Sequence, residues 1–389
     1  MRNLFFIAVI SLFSPSLLFY SCKTVPAQEE RQEKQEKILS LVFAGDIMAH
    51  KENFRMDDFN KIWKDITPLI VQSDFAFANL EAPVCDELPY STYPNFNMNS
   101  DFPEAAIKAG INVFSLVNNH SNDQGLKGIL STEKWASEKE QKTAISNRPV
   151  YFCGINKVSK TPISYKVIKK EDWTVLFCAV TEILNRPDFK SYLNYVVSSK
   201  LGWEDFSNYL KKIREENPCD LFILSIHTDE PEYEAKVSAK RKSYYKSLLE
   251  NCNVDIIWAN HPHVPREIEF FGKKETGNLE KFIIYGNGNT ISGQRRNPDF
   301  KNPSNPRDNT GDSYLLNVVY SKTIESSPII VFKEKNYITT YINELNEFVI
   351  KKLDDDFISY LNENNQKWAK YINSRKQITE KTEETIIWH

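Results

Sequence analysis

From about residue 38 the chain alternates short apolar runs with longer amphipathic stretches, the pattern of an α/β protein. The strand candidates are ILSLVFAGD, DFAFANLE, INVFSLVNN, WTVLFCAVT, DLFILSIHT, VDIIWANHP and KFIIYGNGN. Residues 102–110, 125–140, 202–216 and 235–252 have the charge and period of surface helices. Farther on, YLLNVVYS, SPIIVFKEK and YITTYIN predict a terminal group of antiparallel strands. LDDDFISYLNENNQKWAKYINSRKQI predicts one C-terminal helix, and the last residues read as a frayed end. With no internal repeat, the simplest expectation is one domain over 38–320, with the strands and helix of 321–389 packed onto it.

Two polar stretches interrupt the pattern: TYPNFNMNSD after the second strand, and GQRRNPDFKNPSNPRDNTGD over 293–312. A long loop of the second kind is expected to be either a binding element or disordered.

The start of the chain follows a different pattern. Met1 and Arg2 form a minimal basic start, Leu4 to Tyr20 is almost wholly apolar, and Ser21-Cys22 follows. This predicts an export signal over 1–22. A small residue directly before a cysteine resembles the cleavage site of bacterial lipoproteins, whose cysteine carries lipid. An uncleaved anchor or a plain signal peptide is the alternative. The charged stretch KTVPAQEERQEKQEK then suits a flexible tether over 23–37. Each reading places the body in the cell envelope, outside the cytoplasm, and the first anchors it to the membrane by lipid at Cys22.

Composition narrows the partners. With 41% hydrophobic and 13% aromatic residues, the 389-residue chain can bury a sizeable core. A formal net charge of -3, with scattered Lys and Arg, argues against nucleic acid. Cys85, Cys153, Cys178, Cys219 and Cys252 are widely spaced without a CxxC pair and predict no disulfide framework.

The polar residues that end the apolar runs carry the candidate chemistry. Five of the six histidines lie in short islands with a carboxylate or an amide: His50 in GDIMAH, His120 in NNHSND, His227 in SIHTDE, and His261 and His263 in NHPH. Imidazole, carboxylate and amide oxygen together suit divalent zinc, manganese or iron. Each island falls at the C-terminal end of a predicted strand, the edge where open α/β sheets build their sites.

Taken singly, each island also has a structural reading. Asp46 and His50 can be a metal pair, or a helix N-cap and a surface histidine. Asn79 and Glu81 can hold and bridge ions, or stabilise the turn before Pro83. Asn118, Asn119 and His120 can supply an amide ligand and a proton donor, or form an Asn-rich loop. His227 alone can be structural. In HPH, alternation along an extended segment would put His261 and His263 on one side as a chelating pair.

In this order the islands resemble the CapA family, the bacterial poly-gamma-glutamate capsule synthesis proteins, whose domain is similar to calcineurin-like metallophosphoesterases. The motifs are GDIM (45–48), NLEAP (79–83), NNH with Asp123 and Gly125, His227 with Glu232 and Tyr233 downstream, HPH (261–263), and Tyr285, Gly288 and Asn289. The resemblance implies a four-layer α/β/β/α sandwich holding one or two divalent ions. By analogy the ligands are Asp46, Glu81, Asn119, His227, His261 and His263, with Glu81 bridging and His120 as general acid. The superfamily's first motif is DxH. Met48 occupies that position here, so His50 must substitute or a ligand is missing.

The function so implied is a membrane-tethered, metal-dependent hydrolase of phosphoester or amide bonds. It would act on an anionic envelope polymer such as poly-gamma-glutamate or on its precursor, alongside other capsule-synthesis components. Asn79, Arg266 and Asn289 are the substrate-binding candidates. The alternative is a non-catalytic polymer-binding or assembly factor with a degenerate metal site. A periplasmic solute-binding protein would fit the export signal but not the histidine islands.

Overall fold

The structure is a computed structural model that describes residues 36–159 and 162–389. The expected export segment, Cys22 and nearly all of the tether lie outside the described residues.

The first half of the described chain forms β1 (Lys37–Ile47), α1 (Asn60–Trp63), α2 (Thr67–Ile70), β2 (Phe75–Leu80), α3 (Asp101–Lys108), β3 (Val113–Ser115), α4 (Gly125–Thr143), β4 (Tyr151–Cys153), β5 (Tyr165–Lys170) and β6 (Trp173–Thr181). It continues with α5 (Lys200–Glu216), β7 (Leu221–His227), α6 (Ala239–Asn251), β8 (Ile256–Asn260), β9 (Ile268–Lys273), β10 (Asn278–Ile284) and β11 (Asn289–Ile291). The C-terminal part adds β12 (Asp312–Lys322), β13 (Ile329–Ile342), β14 (Phe348–Lys352), α7 (Asp355–Asn364), α8 (Gln366–Thr379) and β15 (Glu384–Trp388).

The strands run in the order β4-β3-β2-β1-β12-β13-β10-β8-β7-β6-β5. Parallel strands β1 to β4 pair with antiparallel β12 on one side, and parallel β6, β7, β8 and β10 pair with antiparallel β5 and β9 on the other. The two halves join through one residue pair, Leu279 with Ile330.

Three separate hydrophobic layers show how these halves stack. Phe43 and Phe77 of the first half meet Phe177, Trp258 and Phe282 of the second in a central core. Phe43 stacks on Phe77 at 4.7 Å and meets Phe282 edge-on at 5.5 Å. Outside the first half, α1, α3, α7 and α8 bury Trp63, Phe102, Leu361 and Trp368. Outside the second, α5 and α6 bury Leu210 and Leu248. Helix, sheet, sheet and helix thus form the four-layer α/β/β/α sandwich. The strands read as continuous apolar runs because both of their faces are covered.

The C-terminal segment departs from expectation in three places. SPIIVFKEK and YITTYIN form one long strand, β13. The single predicted helix is two, because Asn365 (φ -157°) ends α7 and its side chain accepts from Trp368 N to start α8. A residue with strong N-cap preference breaks a run that amphipathic period alone would continue. The last residues are not frayed: β15 pairs in parallel with β9, where exposed side chains hid a strand held by backbone bonds. The 293–312 loop is ordered around buried Arg295. Among the described residues no helix is long and apolar enough to cross a membrane.

Candidate metal centre

The polar islands converge because the ends of β1, β2, β7 and β8 and the loop after β3 meet at one edge of the sandwich. Asp46 pairs in register with Asn79 on one side and Asn289 on the other. Gly45 permits this: a Cβ there would lie 1.8 Å from Gly288 O, so only glycine lets the 288–291 segment close against β1. Asp46 N then bonds Gly288 O at 3.1 Å.

Two triplets of donor atoms share one carboxylate. Glu81, His227 and His261 form the first; Asp46, Glu81 and His263 form the second. In each, the donor atoms lie within 4.8 Å of one another. Glu81 Oε1 is 3.7 Å from both His227 Nε2 and His263 Nε2, and it is buried without a hydrogen-bond partner. Such a separation is too long for a hydrogen bond, yet it is roughly the spacing of ligand atoms around a shared ion. Asn119 Oδ1 lies 2.9 Å from His227 Nε2, beside the first triplet.

The electrostatics are those of carboxylates and imidazoles buried against one another. Burial, with Asp46 nearby, holds the Glu81 carboxyl well above the usual carboxylate range. Burial and the neighbouring His261 push His227 well below the ordinary imidazole value, and burial with His263 brings His261 down to about 4. Neutral imidazoles keep a lone pair for a metal. Glu232 forms a third triplet with His261 and His263. Burial raises its carboxyl, but His263 and the Tyr233 hydroxyl pull it below its usual value.

Asn79 and Asn289 hydrogen-bond the side chains of the triplets. Asn79 Nδ2 donates to Asp46 Oδ1 at 2.8 Å and Glu81 Oε2 at 3.2 Å, and lies 3.4 Å from His227 Nδ1. Asn289 Oδ1 is 3.0 Å from His263 Nδ1, while its amide donates to Gln294 Oε1 and Thr310 O. His120 Nδ1 faces Asp123 Oδ2 at 2.7 Å and Asn185 Nδ2 at 3.2 Å.

Two residues sit apart from the triplets. His50 Nδ1 receives Gly293 N at 3.2 Å, its ring stands edge-on to Phe96, and burial lowers its pKa to about 3. Arg266 is buried, and its guanidinium donates to Glu234 O, Glu230 Oε2 and Pro231 O, clamping the loop that carries Glu232 and Tyr233. The HPH segment is not extended. His261 (φ 105°) and His263 (φ 60°) lie in the left-handed region, so the backbone here, not strand alternation, sets the two rings, which share Glu81 and Glu232 while His263 alone also meets Asp46.

Asn185 has no mark in the sequence beyond TEILN, which ends the apolar run WTVLFCAVT as the other islands end theirs. Glu232 stands in the sequence only as a residue downstream of His227, because nothing local ties residues 230–234 to HPH.

Several known proteins resemble the chain. It is 24% identical over 279 residues to the capsule biosynthesis protein CapA of Bacillus anthracis, covering 69% of this chain and 62% of that relative. Two solved structures from Thermus thermophilus align with it. A hypothetical protein matches with TM-score 0.41 and 14% identity, over 77% of this chain and 98% of that one. A 5'-nucleotidase precursor matches with TM-score 0.40 and 10% identity, over 87% and 59%. The family model for the bacterial capsule synthesis protein PGA_cap matches residues 40–294. That span holds every residue of the triplets, and the chain belongs to the bacterial capsule synthesis protein PGA_cap family.

Proposed function

We propose that this protein is a divalent-metal-dependent hydrolase of the cell envelope, tethered to the membrane through Cys22. Its substrate would be an anionic capsule polymer such as poly-gamma-glutamate, or a precursor of it, cleaved at a phosphoester or amide bond. The observation that carries this reading is Glu81 Oε1, a buried carboxylate oxygen without a hydrogen-bond partner that lies 3.7 Å from two imidazole nitrogens. An isolated buried carboxylate is costly, and a bound cation removes that cost.

Asp46, Glu81, Asn119, His227, His261 and His263 would hold one or two ions of manganese, zinc or iron. When bound, such ions acidify water and polarise a phosphoryl or acyl oxygen. The remaining work falls to the chain's own groups. Asp123 on Nδ1 of His120 fixes the ring, which leaves Nε2 to deliver a proton to the leaving oxygen or nitrogen. Asn79 and Asn289 orient the ligands.

Elemental analysis of the purified full-length protein, with a screen of phosphoesters and gamma-glutamyl peptides, tests the proposal on wild type and His261→Ala. The expected result is bound metal and hydrolysis in the wild type, both diminished in the variant. A variant that keeps metal and activity refutes the site. The second reading, a polymer-binding or assembly factor with a degenerate site, draws on Met48, which is buried in the apolar core next to Asp46. It predicts polymer binding that survives chelation and no hydrolysis.

A further inference from the structure

The two triplets that share Glu81 are not equally furnished. The one built on His227 and His261 has Asn119 Oδ1 at 2.9 Å from His227 Nε2 as a further oxygen. The one built on Asp46 and His263 has an amide oxygen, Asn289 Oδ1, only at His263 Nδ1 (3.0 Å) and not at the Nε2 that faces Glu81, which leaves three donors where zinc takes four ligands and the harder divalent ions take more. The neighbouring side chains on its own strand do not fill the gap. Met48 lies in the apolar core, and His50 packs on Phe96 with its Nδ1 engaged by Gly293 N.

We infer that Glu232 is a further metal ligand, with its carboxylate acting beside His263 of this triplet and His261 of the other. The inference rests on the metal reading of the site. A donor oxygen of Glu232 lies within 4.8 Å of a ring nitrogen of each of these histidines. The loop carrying it is built to stay there. Buried Arg266 donates to Glu230 Oε2, Pro231 O and Glu234 O, so one guanidinium holds the residues on both sides of Glu232. Tyr233 N bonds Pro262 O at 2.9 Å, fastening the loop to the residue between the two histidines. Tyr233 is held at φ 67°, a left-handed conformation that a tyrosine adopts only where its surroundings enforce it. Arg307, 4.6 Å above the Tyr233 ring, closes the outer side. A half-buried carboxylate fixed this firmly against two imidazoles is positioned as a ligand rather than as a solvated surface acid.

The test is titration of Co2+ into metal-free full-length protein, followed by calorimetry and by the visible absorption of the bound ion, for wild type, Glu232→Gln and Glu234→Gln. Glutamine keeps the shape of the side chain and removes the charge. The expected result is that Glu232→Gln loses one of two bound ions, or binds it about tenfold or more weakly, with an altered cobalt spectrum. Glu234→Gln, a change on an exposed neighbour, should match the wild type. If the wild type binds cobalt and Glu232→Gln matches it in stoichiometry, affinity and spectrum, the inference is overturned while the metal centre stands. If the wild type binds no ion, both fall. Thermal melts of the metal-free proteins identify any variant that loses its metal by misfolding, and for such a variant Glu232→Asp replaces it, with the same weakened ion expected.

Discussion

His120 Nδ1 lies 2.7 Å from Asp123 Oδ2, and the same oxygen accepts Phe96 N at 2.7 Å. Asp123 therefore fixes both the ring of His120 and the loop against which that ring packs. If His120 supplies the proton to the leaving group, His120→Ala should lower turnover by about 10²–10⁴-fold with metal content unchanged. Asp123→Asn should lower it by a smaller factor. Steady-state kinetics beside elemental analysis checks both, and wild-type turnover in Asp123→Asn would remove the aspartate from the mechanism.

Glu81 should affect stability in opposite directions with and without metal. Its folded-state carboxyl titrates above the unfolded value, so its ionisation opposes folding once the pH exceeds the unfolded value. Glu81→Gln should therefore raise the melting temperature of the metal-free protein at neutral pH by about 2 °C or more. In the same variant, the stabilisation that metal confers, about 2.7 kcal/mol at a hundredfold excess over Kd, should largely vanish. Differential scanning calorimetry with and without chelator reads both effects, and a lowered metal-free melting temperature would contradict the account.

Asp312 is buried between two arginines: Arg295 Nη1 at 2.6 Å from Oδ1, and Arg375 Nε at 2.7 Å from Oδ2. Burial raises its carboxyl, but the two guanidinium groups bring it below the usual value. The unfolded chain then takes up this proton first as the pH falls. The contribution is complete above about pH 4 and is lost as the pH drops through the lower folded value. Asp312→Asn should flatten the acid limb of a melting curve measured from about pH 6 down to about pH 2.5. It should also destabilise at neutral pH by about 3–5 kcal/mol, because two buried cations lose their partner. An acid limb identical to that of the wild type would rule Asp312 out as its source.

The central core should tolerate little truncation. Phe43 is fully buried between the sheets, stacked on Phe77 and edge-on to Phe282. Phe43→Ala should cost about 3–5 kcal/mol in urea unfolding. A loss below about 1 kcal/mol would mean that the two sheets do not meet there.

Local physics explains what the chain reveals on its own. Strands covered on both faces must be apolar throughout, and a metal site must place polar residues where such strands emerge. The α/β class and the polar strand ends were therefore legible one segment at a time, whereas Asp46, Glu81, Asn119, His227, His261 and His263 stood out as a candidate ligand set only through the order of the islands and the family resemblance. Asn365 and β15 were not legible. A cap competes with helical period over single residues, and an edge strand held by backbone bonds needs no apolar pattern.

Partner choice was decided only in the tertiary structure. Which histidine faces which carboxylate depends on left-handed backbone at His261 and His263, on the register of β11 against β1 through Gly45, and on the Arg266 clamp that brings Glu232 to the HPH segment. These contacts join residues far apart in the chain. Donor types are written in the local sequence, whereas distances between donors come from how the sheets and loops close.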